Sequence, residues 1–381
     1  MKKKLLIFAS LILSNGLFAE TLKGWDLSAY GWIKTAVIGA SESLGSFNNV
    51  NQTAPTQAAP HLNSLSSASR LSFQAQQSRI GALLKKNKDV TGRFEIDFFD
   101  INKSSPTTQM NPRLRIASIT YSKDSYKFIV GQDWDLFSPV NGFTYSHVGM
   151  YFMTGNTGFM RQQVQILKDV SSWELGAALG LAGSNPGIAE SDLEATKSPS
   201  YAVRSSYKLD KGRVGVSAIY STLKYSEVSN ARHDAYGINA FFEQAAGEFS
   251  LKSEVYFGQN LNNIGTLSLG KGTATSDVKE LGGMFSLLKK VDDRNGWYAG
   301  AGFALITEPS ELERLSLNAS RVVVNPGIKR NYILRFGWEY KIAEDLAWFS
   351  EVSRFETVYK LPGRDQLNIA GSLESGLQLN F

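Results

Sequence analysis

Five arginines lie on one side of short β-like stretches: Arg79 in "QSRIG", Arg93 in "VTGRFEIDFFD", Arg113 and Arg115 in "PRLRI", and Arg161 in "MRQQVQI". Glu95 and Asp97 share the face of Arg93, and Asp133 and Asp135 stand where "GQDWDLFSP" leaves a strand. Charged side chains that narrow an aqueous passage set its ionic preference, and arginines there favour anions. A basic ladder facing acids has a second possible effect, a transverse field that orients dipolar solutes with little net charge preference. A third is purely architectural: the arginines simply satisfy the charges beside them on the same wall.

Catalysis has little support in the residue types. The three histidines, His61, His147 and His233, fall in loops or at strand ends with no nucleophile motif nearby, which disfavours an outer-membrane hydrolase. With 0 cysteines, no Cys/His cluster and no acidic loop of calcium spacing, neither a metal nor another cofactor is implied. A structural or adhesive barrel remains a rival, with external loops such as the Gln/Ala/Ser/Asn-rich 41 to 69 as its binding surface and little transport. The formal charge of +5 falls to 5 − 3 = +2 once the three lysines of residues 1 to 19 are set aside, and the remaining basic residues form no block, so nucleic acid is not a partner.

Positioning charges along a wall requires strands, and period-2 patterning runs through the chain. In "RNYILRFGWEYKI" the residues Tyr332, Leu334, Phe336, Trp338 and Tyr340 share one face, while Arg335, Glu339 and Lys341 share the other. A water-soluble sandwich does not bury such charges. The apolar stripe is long enough to cross hydrocarbon, which takes about 9 to 11 tilted residues. Mean hydropathy is only −0.18 because the lipid-facing and lumen-facing residues of a barrel strand cancel in any window.

Strands are expected near 25–38, 70–86, 90–100, 112–122, 126–134, 160–168, 172–182, 199–209, 212–225, 233–245, 247–259, 279–290, 295–306, 329–341, 345–360 and 366–381. That makes sixteen, with fourteen or eighteen left open by the boundaries. The connections alternate long and short, the short ones being "NKD", "SKDS", "DVS", "DK", "AAG", "VDDRN" and "AED". Short turns at one end and longer loops at the other are the habit of outer-membrane barrels. The fold class expected is therefore all-β, a transmembrane antiparallel barrel wide enough for an aqueous lumen. The third long interval, 133 to 159, is too rich in aromatics to hang in solvent, so it is expected to fold inward; an outer cap or a subunit interface is the alternative.

The ends fit a chain delivered through the periplasm. Lys2, Lys3 and Lys4 precede an apolar run from Leu5 to Leu13, and Ala19 precedes Glu20, the layout of a signal peptide over 1–19 ahead of a barrel domain over 20–381. The last strand, "QLNIAGSLESGLQLNF", is expected to pair with the first, "WDLSAYGWIKTAVIG", since an open edge in lipid would leave backbone groups unsatisfied.

Several stretches, "YGWIKTAV", "QSRIGALLK", "VTGRFEIDFFD" and "PRLRIASITYSKDSYKFIVGQDWDLFSP", together resemble the DcaP-like porins of Gram-negative outer membranes, over roughly residues 28 to 168. The resemblance implies a homotrimer of sixteen-stranded, water-filled channels for small hydrophilic solutes, with a preference for small anions such as dicarboxylates. By motif it carries the "QSR" arginine onto Arg79, the "RLR" pair onto Arg113 and Arg115, and the "GQxW" element onto Gly131, Gln132 and Trp134. It also implies outer-membrane lipid as surroundings, and Phe381 as a terminal aromatic read by the barrel-insertion machinery. Asp133 and Asp135 beside the third loop work against the anion preference, and the helical extension of some members is missing here.

Overall fold

A computed structural model describes residues 24–41, 69–98, 112–146, 151–181, 198–224, 232–269, 272, 277–308, 327–361 and 364–381. The expected leader at 1–19, most of the first long loop, His61 and His147 lie outside these residues. The strands are β1 (Asp26–Ala40), β2 (Arg70–Gln74), β3 (Arg79–Lys85), β4 (Val90–Asp97), β5 (Arg113–Lys123), β6 (Tyr126–Trp134), β7 (Met160–Val170), β8 (Trp173–Gly180), β9 (Ser200–Leu209), β10 (Gly212–Lys224), β11 (Arg232–Ala246), β12 (Phe249–Gln259), β13 (Lys279–Lys290), β14 (Asn295–Glu308), β15 (Gly327–Lys341), β16 (Leu346–Leu361) and β17 (Arg364–Asn380). A 3-10 turn at Leu261–Ile264 is the one helical element among the described residues.

Sixteen staves make the ring, because β2 and β3 are one stave in two pieces. Both pair with β1, β2 from Ala36↔Gln74 onward and β3 up to Trp32↔Arg79, so three residues of β1 face the four residues 75–78. The sequence pattern treats 70–86 as unbroken; the extra residue makes a local bulge instead. Bonds from β1 hold it: Trp32 Nε1 donates to the Gln77 carbonyl at 2.8 Å, and the Lys34 amide to Ser78 Oγ at 3.0 Å. A bulge re-aims a side chain. Here it turns Gln77 toward Lys34 and Glu374, which meet at 3.0 Å across the seam between β1 and β17.

The staves run antiparallel in chain order, and β17 returns to β1 from Trp32↔Asn380 to Ala40↔Ser372. Gly31 and Phe381 then exchange backbone hydrogen bonds of 3.1 Å each. The expected pairing of last strand with first is therefore present, and it removes the edges that an open sheet would expose.

The two faces are inverted relative to a soluble sheet. On β15, Leu334 is 58% exposed and Arg335 4%; likewise Val255, Phe285 and Val352 point outward while Glu254, Ser286 and Glu351 are buried. Exposed apolar side chains on every stave but β14, whose apolar residues are half-buried or buried, suit a hydrocarbon solvent. Pairs of rings stand toward the short turns, Trp173 on Tyr207 at 5.2 Å and Trp338 on Trp348 at 5.3 Å, as at a membrane–water boundary. The short turns are locally determined. In the turn before β14, Asp292 accepts from the amides of Arg294 and Asn295, both at 2.7 Å, which holds its carboxyl below the ordinary range. The β16–β17 connection breaks the long-loop rule: both strands continue until Leu361 faces Arg364, leaving only residues 362–363 between them.

Inverting the outward face tests this arrangement. Leu334→Arg should destabilise the barrel by about 2 to 4 kcal/mol if that position sits near the bilayer midplane. Reversible unfolding in lipid vesicles measures it, and a change near zero would place Leu334 in water.

Candidate functional site

The arginine cluster is built by the register of β3, β4 and β5. Arg79 stands opposite Asp97, which stands opposite Arg113. On β5 the pairing slips between Glu95 and Ile96, so that Glu95 faces Ile116 while Ile96 faces Leu114. The slip leaves Arg115 as the extra residue, free to reach both carboxylates. Its Nε donates to Glu95 at 2.8 Å and its Nη1 to Asp97 at 3.1 Å. Arg113 grips Asp97 with two bonds, of 2.9 and 2.6 Å, while Arg79 and Arg93 approach Glu95 at 3.4 and 3.3 Å.

Glycine at position 81 admits the last member. A Cβ there would fall on the Tyr30 ring, which instead lies over Gly81 and extends its hydroxyl to Glu95 at 3.1 Å. That hydroxyl also accepts from Arg93 Nε at 2.9 Å. Rings hold the guanidinium planes: Trp32 lies 4.4 Å from Arg79, Trp134 5.8 Å from Arg115 and Phe159 5.9 Å from Arg113.

Four guanidiniums against two carboxylates give 4 − 2 = +2. The charges are not equally placed. Glu95 and Asp97 are buried beneath the arginines, whereas the side chains of Arg93 and Arg113 keep 39% and 24% of their surface exposed. The acids thus hold like charges together, and the surplus is presented by the arginines above them. Arg79 Nε, buried, has no hydrogen-bond partner among the described residues.

Asp135 and Arg161 form a separate pair, whereas Asp133 lies within electrostatic reach of Arg93. Arg161 Nε meets Asp135 at 2.9 Å, and its Nη1 donates to the carbonyls of Leu181 and Ile264 at 2.6 and 2.8 Å. Asp135 ties it to segment 135–159 and the two carbonyls tie it to the end of β8 and to the 3-10 turn, so it fastens the start of that segment to its surroundings. Asp133 accepts from Ser118 Oγ at 2.7 Å and from the Trp134 amide at 2.8 Å. The "GQxW" residues are supports for β5: Gly131, at φ +124°, lies where a Cβ would strike the Ala117 carbonyl, and Gln132 donates to the Leu114 and Arg115 carbonyls at 2.9 and 3.0 Å.

The described parts of segment 135–159 lie on the polar face of the strands. Leu136 and Phe137 pack with Ala178, Ile219 and Tyr256, and Val140 and Tyr151 with Met284, Ile333 and Phe349. Polar anchors follow the same course around the ring. Glu254 on β12 accepts from Ser138 and from Asn156. Ser286 on β13 accepts the Phe143 amide at 2.9 Å, and Asn331 on β15 donates to the Met153 carbonyl at 3.3 Å. Glu351 on β16 accepts from Thr144, from the amides of Tyr145 and Ser146, and from Arg335. Lys34 on β1 donates to the Tyr145 carbonyl. These anchors run from β7 to β16 and on to β1, and the arginine cluster is carried by β3, β4 and β5.

No protein-family model matches the sequence, and no curated protein matches it. Solved structures share its fold. The outer membrane channel DcaP of Acinetobacter baumannii superposes with a TM-score of 0.71 at 12% identity, over 94% of this chain and 98% of that one. An anion-selective porin from Comamonas acidovorans gives 0.58 at 11%, over 94% and 100%. Pseudomonas putida OprB gives 0.57 at 12%, over 97% of each. At such identities the likeness concerns the fold, a closed antiparallel barrel of sixteen staves.

Proposed function

We propose that this chain is an outer-membrane porin, a water-filled channel for passive diffusion of small hydrophilic solutes with a preference for small anions such as dicarboxylates. The observation that carries this reading is the +2 cluster of Arg79, Arg93, Arg113 and Arg115 over the buried Glu95 and Asp97. On a polar face enclosed by a ring, such a surplus borders whatever water column the ring contains, and fixed cations there raise the local concentration of anions. Segment 135–159 acts as the inward loop in this reading, narrowing the passage toward the cluster. Asp135 does not oppose the preference, because Arg161 neutralises it; Asp133, which accepts from the neutral Ser118 hydroxyl and Trp134 amide, keeps its charge within electrostatic reach of Arg93 and lowers the local surplus to 2 − 1 = +1. The shared fold with an anion-selective porin and with DcaP supports the same assignment.

The rest of the proposal concerns delivery and assembly: residues 1–19 as the leader, Phe381 as the residue read by the insertion machinery, and a homotrimer in outer-membrane lipid. Purified protein in a planar bilayer tests the whole. Current should rise in groups of three equal steps, and in a gradient of KCl the reversal potential should have the sign for chloride. Silent membranes would sink the channel reading, and a potassium-signed potential would sink the anion preference.

A further inference from the structure

A second row of charge crosses the polar face near the short turns, away from the arginine cluster. Arg213 on β10 stands opposite Glu243 on β11, and Glu243 stands opposite Lys252 on β12. One carboxylate thus lies between two cations, and the guanidinium has taken it through Nε. Arg213 Nη2 donates to the Pro139 carbonyl at 3.4 Å, and its Nη1 makes no bond among the described residues. Lys252 is left with a ring: its ammonium lies 4.6 Å from the centre of Phe143 in segment 135–159, and makes no ion pair or hydrogen bond among the described residues. The next cation along, Lys208 on β9, stands opposite Arg213 and is neutralised by Asp169 at 2.6 Å. Three cations against two acids give 3 − 2 = +1, and the unmatched charge is that of Lys252.

An ammonium carries three donors, and the face of a ring satisfies none of them as a hydrogen bond does. Lys252 is half-buried and faces the like charge of Arg213 across a single carboxylate already in use. An oxyanion arriving between them would accept from the lysine and from the open Nη1, and would relieve the repulsion. Glu254, two residues further from the turn on the same face, is where Ser138 and Asn156 of segment 135–159 attach. Lys252 therefore lies between that anchor and the short turns.

We propose that Lys252 and Arg213 form a second oxyanion station, on the short-turn side of segment 135–159, taking small carboxylates or phosphate after they leave the arginine cluster. The station rests on the channel reading above, and the test separates the two. The chain has 0 cysteines, so Ser250→Cys, on the face of Lys252 and nearer the turn, is the sole thiol. Its rates of modification by an anionic and a cationic methanethiosulfonate of similar size report the local potential. Adding Lys252→Gln should lower the anionic-over-cationic ratio about three- to tenfold, and Arg213→Gln should lower it similarly, since either removes one unit charge at short range. Lys252→Arg should preserve it. Inorganic phosphate should slow the anionic reagent in the Ser250→Cys parent and have no effect after Lys252→Gln. Folding of each variant is read from its heat-modifiable gel mobility and single-channel current. Absence of current in the parent would overturn the channel reading; normal current with a ratio unmoved by both glutamine substitutions would overturn the station alone.

Discussion

Arg93→Glu combined with Arg113→Glu should turn the proposed anion preference into a cation preference. The cluster changes from 4 − 2 = +2 to 2 − 4 = −2, and both sites are the exposed members, so neither new carboxylate is forced into a buried place. A fixed charge about 8 Å from a passing ion in water contributes about 0.5 kcal/mol, so four units sum to about 2 kcal/mol, more than tenfold in the permeability ratio. The effect should be large in 0.1 M KCl and shrink in 1 M, where the screening length falls from about 10 to about 3 Å. Arg115→Glu is a poorer probe, since Arg115 is buried and joins Glu95 to Asp97; a third carboxylate there would unfold the cluster. Arg161→Gln combined with Asp135→Asn is the control: it removes an ion pair whole and changes no net charge, so it should lower stability and leave the reversal potential where it was. Equal shifts from that control and from the Arg93 and Arg113 double variant would show that the cluster has no special place in selectivity.

The sequence pattern exposes this site only in part, for a physical reason. Period 2 says which face a residue occupies, and so it finds Arg79, Arg93, Glu95, Asp97, Arg113 and Arg115 on one wall. Strand pairing is a second variable that no alternation encodes, and it decides which charges touch. Arg115 reaches both acids because β5 slips by one residue, a slip held by Gln132 from the neighbouring strand. Arg161 has the same face and residue type, yet its donors end on Asp135 and backbone carbonyls. The same limit hides the break in the second stave at 75–78. It also hides the buried anchors Lys34, Glu254 and Glu351, which look like ordinary inward polar residues until the segment they hold is in place. The aromatic content of 133–159 does signal that the segment packs on something; its partners are scattered over more than half the ring and share no local signature.

Glu351→Ala should loosen that segment and raise the single-channel conductance at the same time as it destabilises the barrel. The carboxylate accepts from Thr144 at 2.9 Å, from the Tyr145 amide at 2.8 Å, from the Ser146 amide at 3.1 Å and from Arg335 at 3.0 Å. Removing it strands the Arg335 guanidinium, which is 4% exposed, without its counter-charge; breaking a buried pair from one side costs about 3 to 5 kcal/mol. The segment's three donors are different, because they can turn to water if residues 143–146 move off the wall. Two consequences with separate causes are thus superimposed, and a second substitution divides them. In Glu351→Ala with Arg335→Leu the orphaned charge is gone, so most of the stability should return, while the segment still lacks its anchor and the conductance should stay high and noisy. Unfolding in lipid vesicles and single-channel recording measure the two independently. Recovery of both in the double variant would mean that Glu351 serves only to neutralise Arg335, and that the segment is seated by its other anchors, at Glu254, Ser286, Asn331 and Lys34, together with its apolar packing.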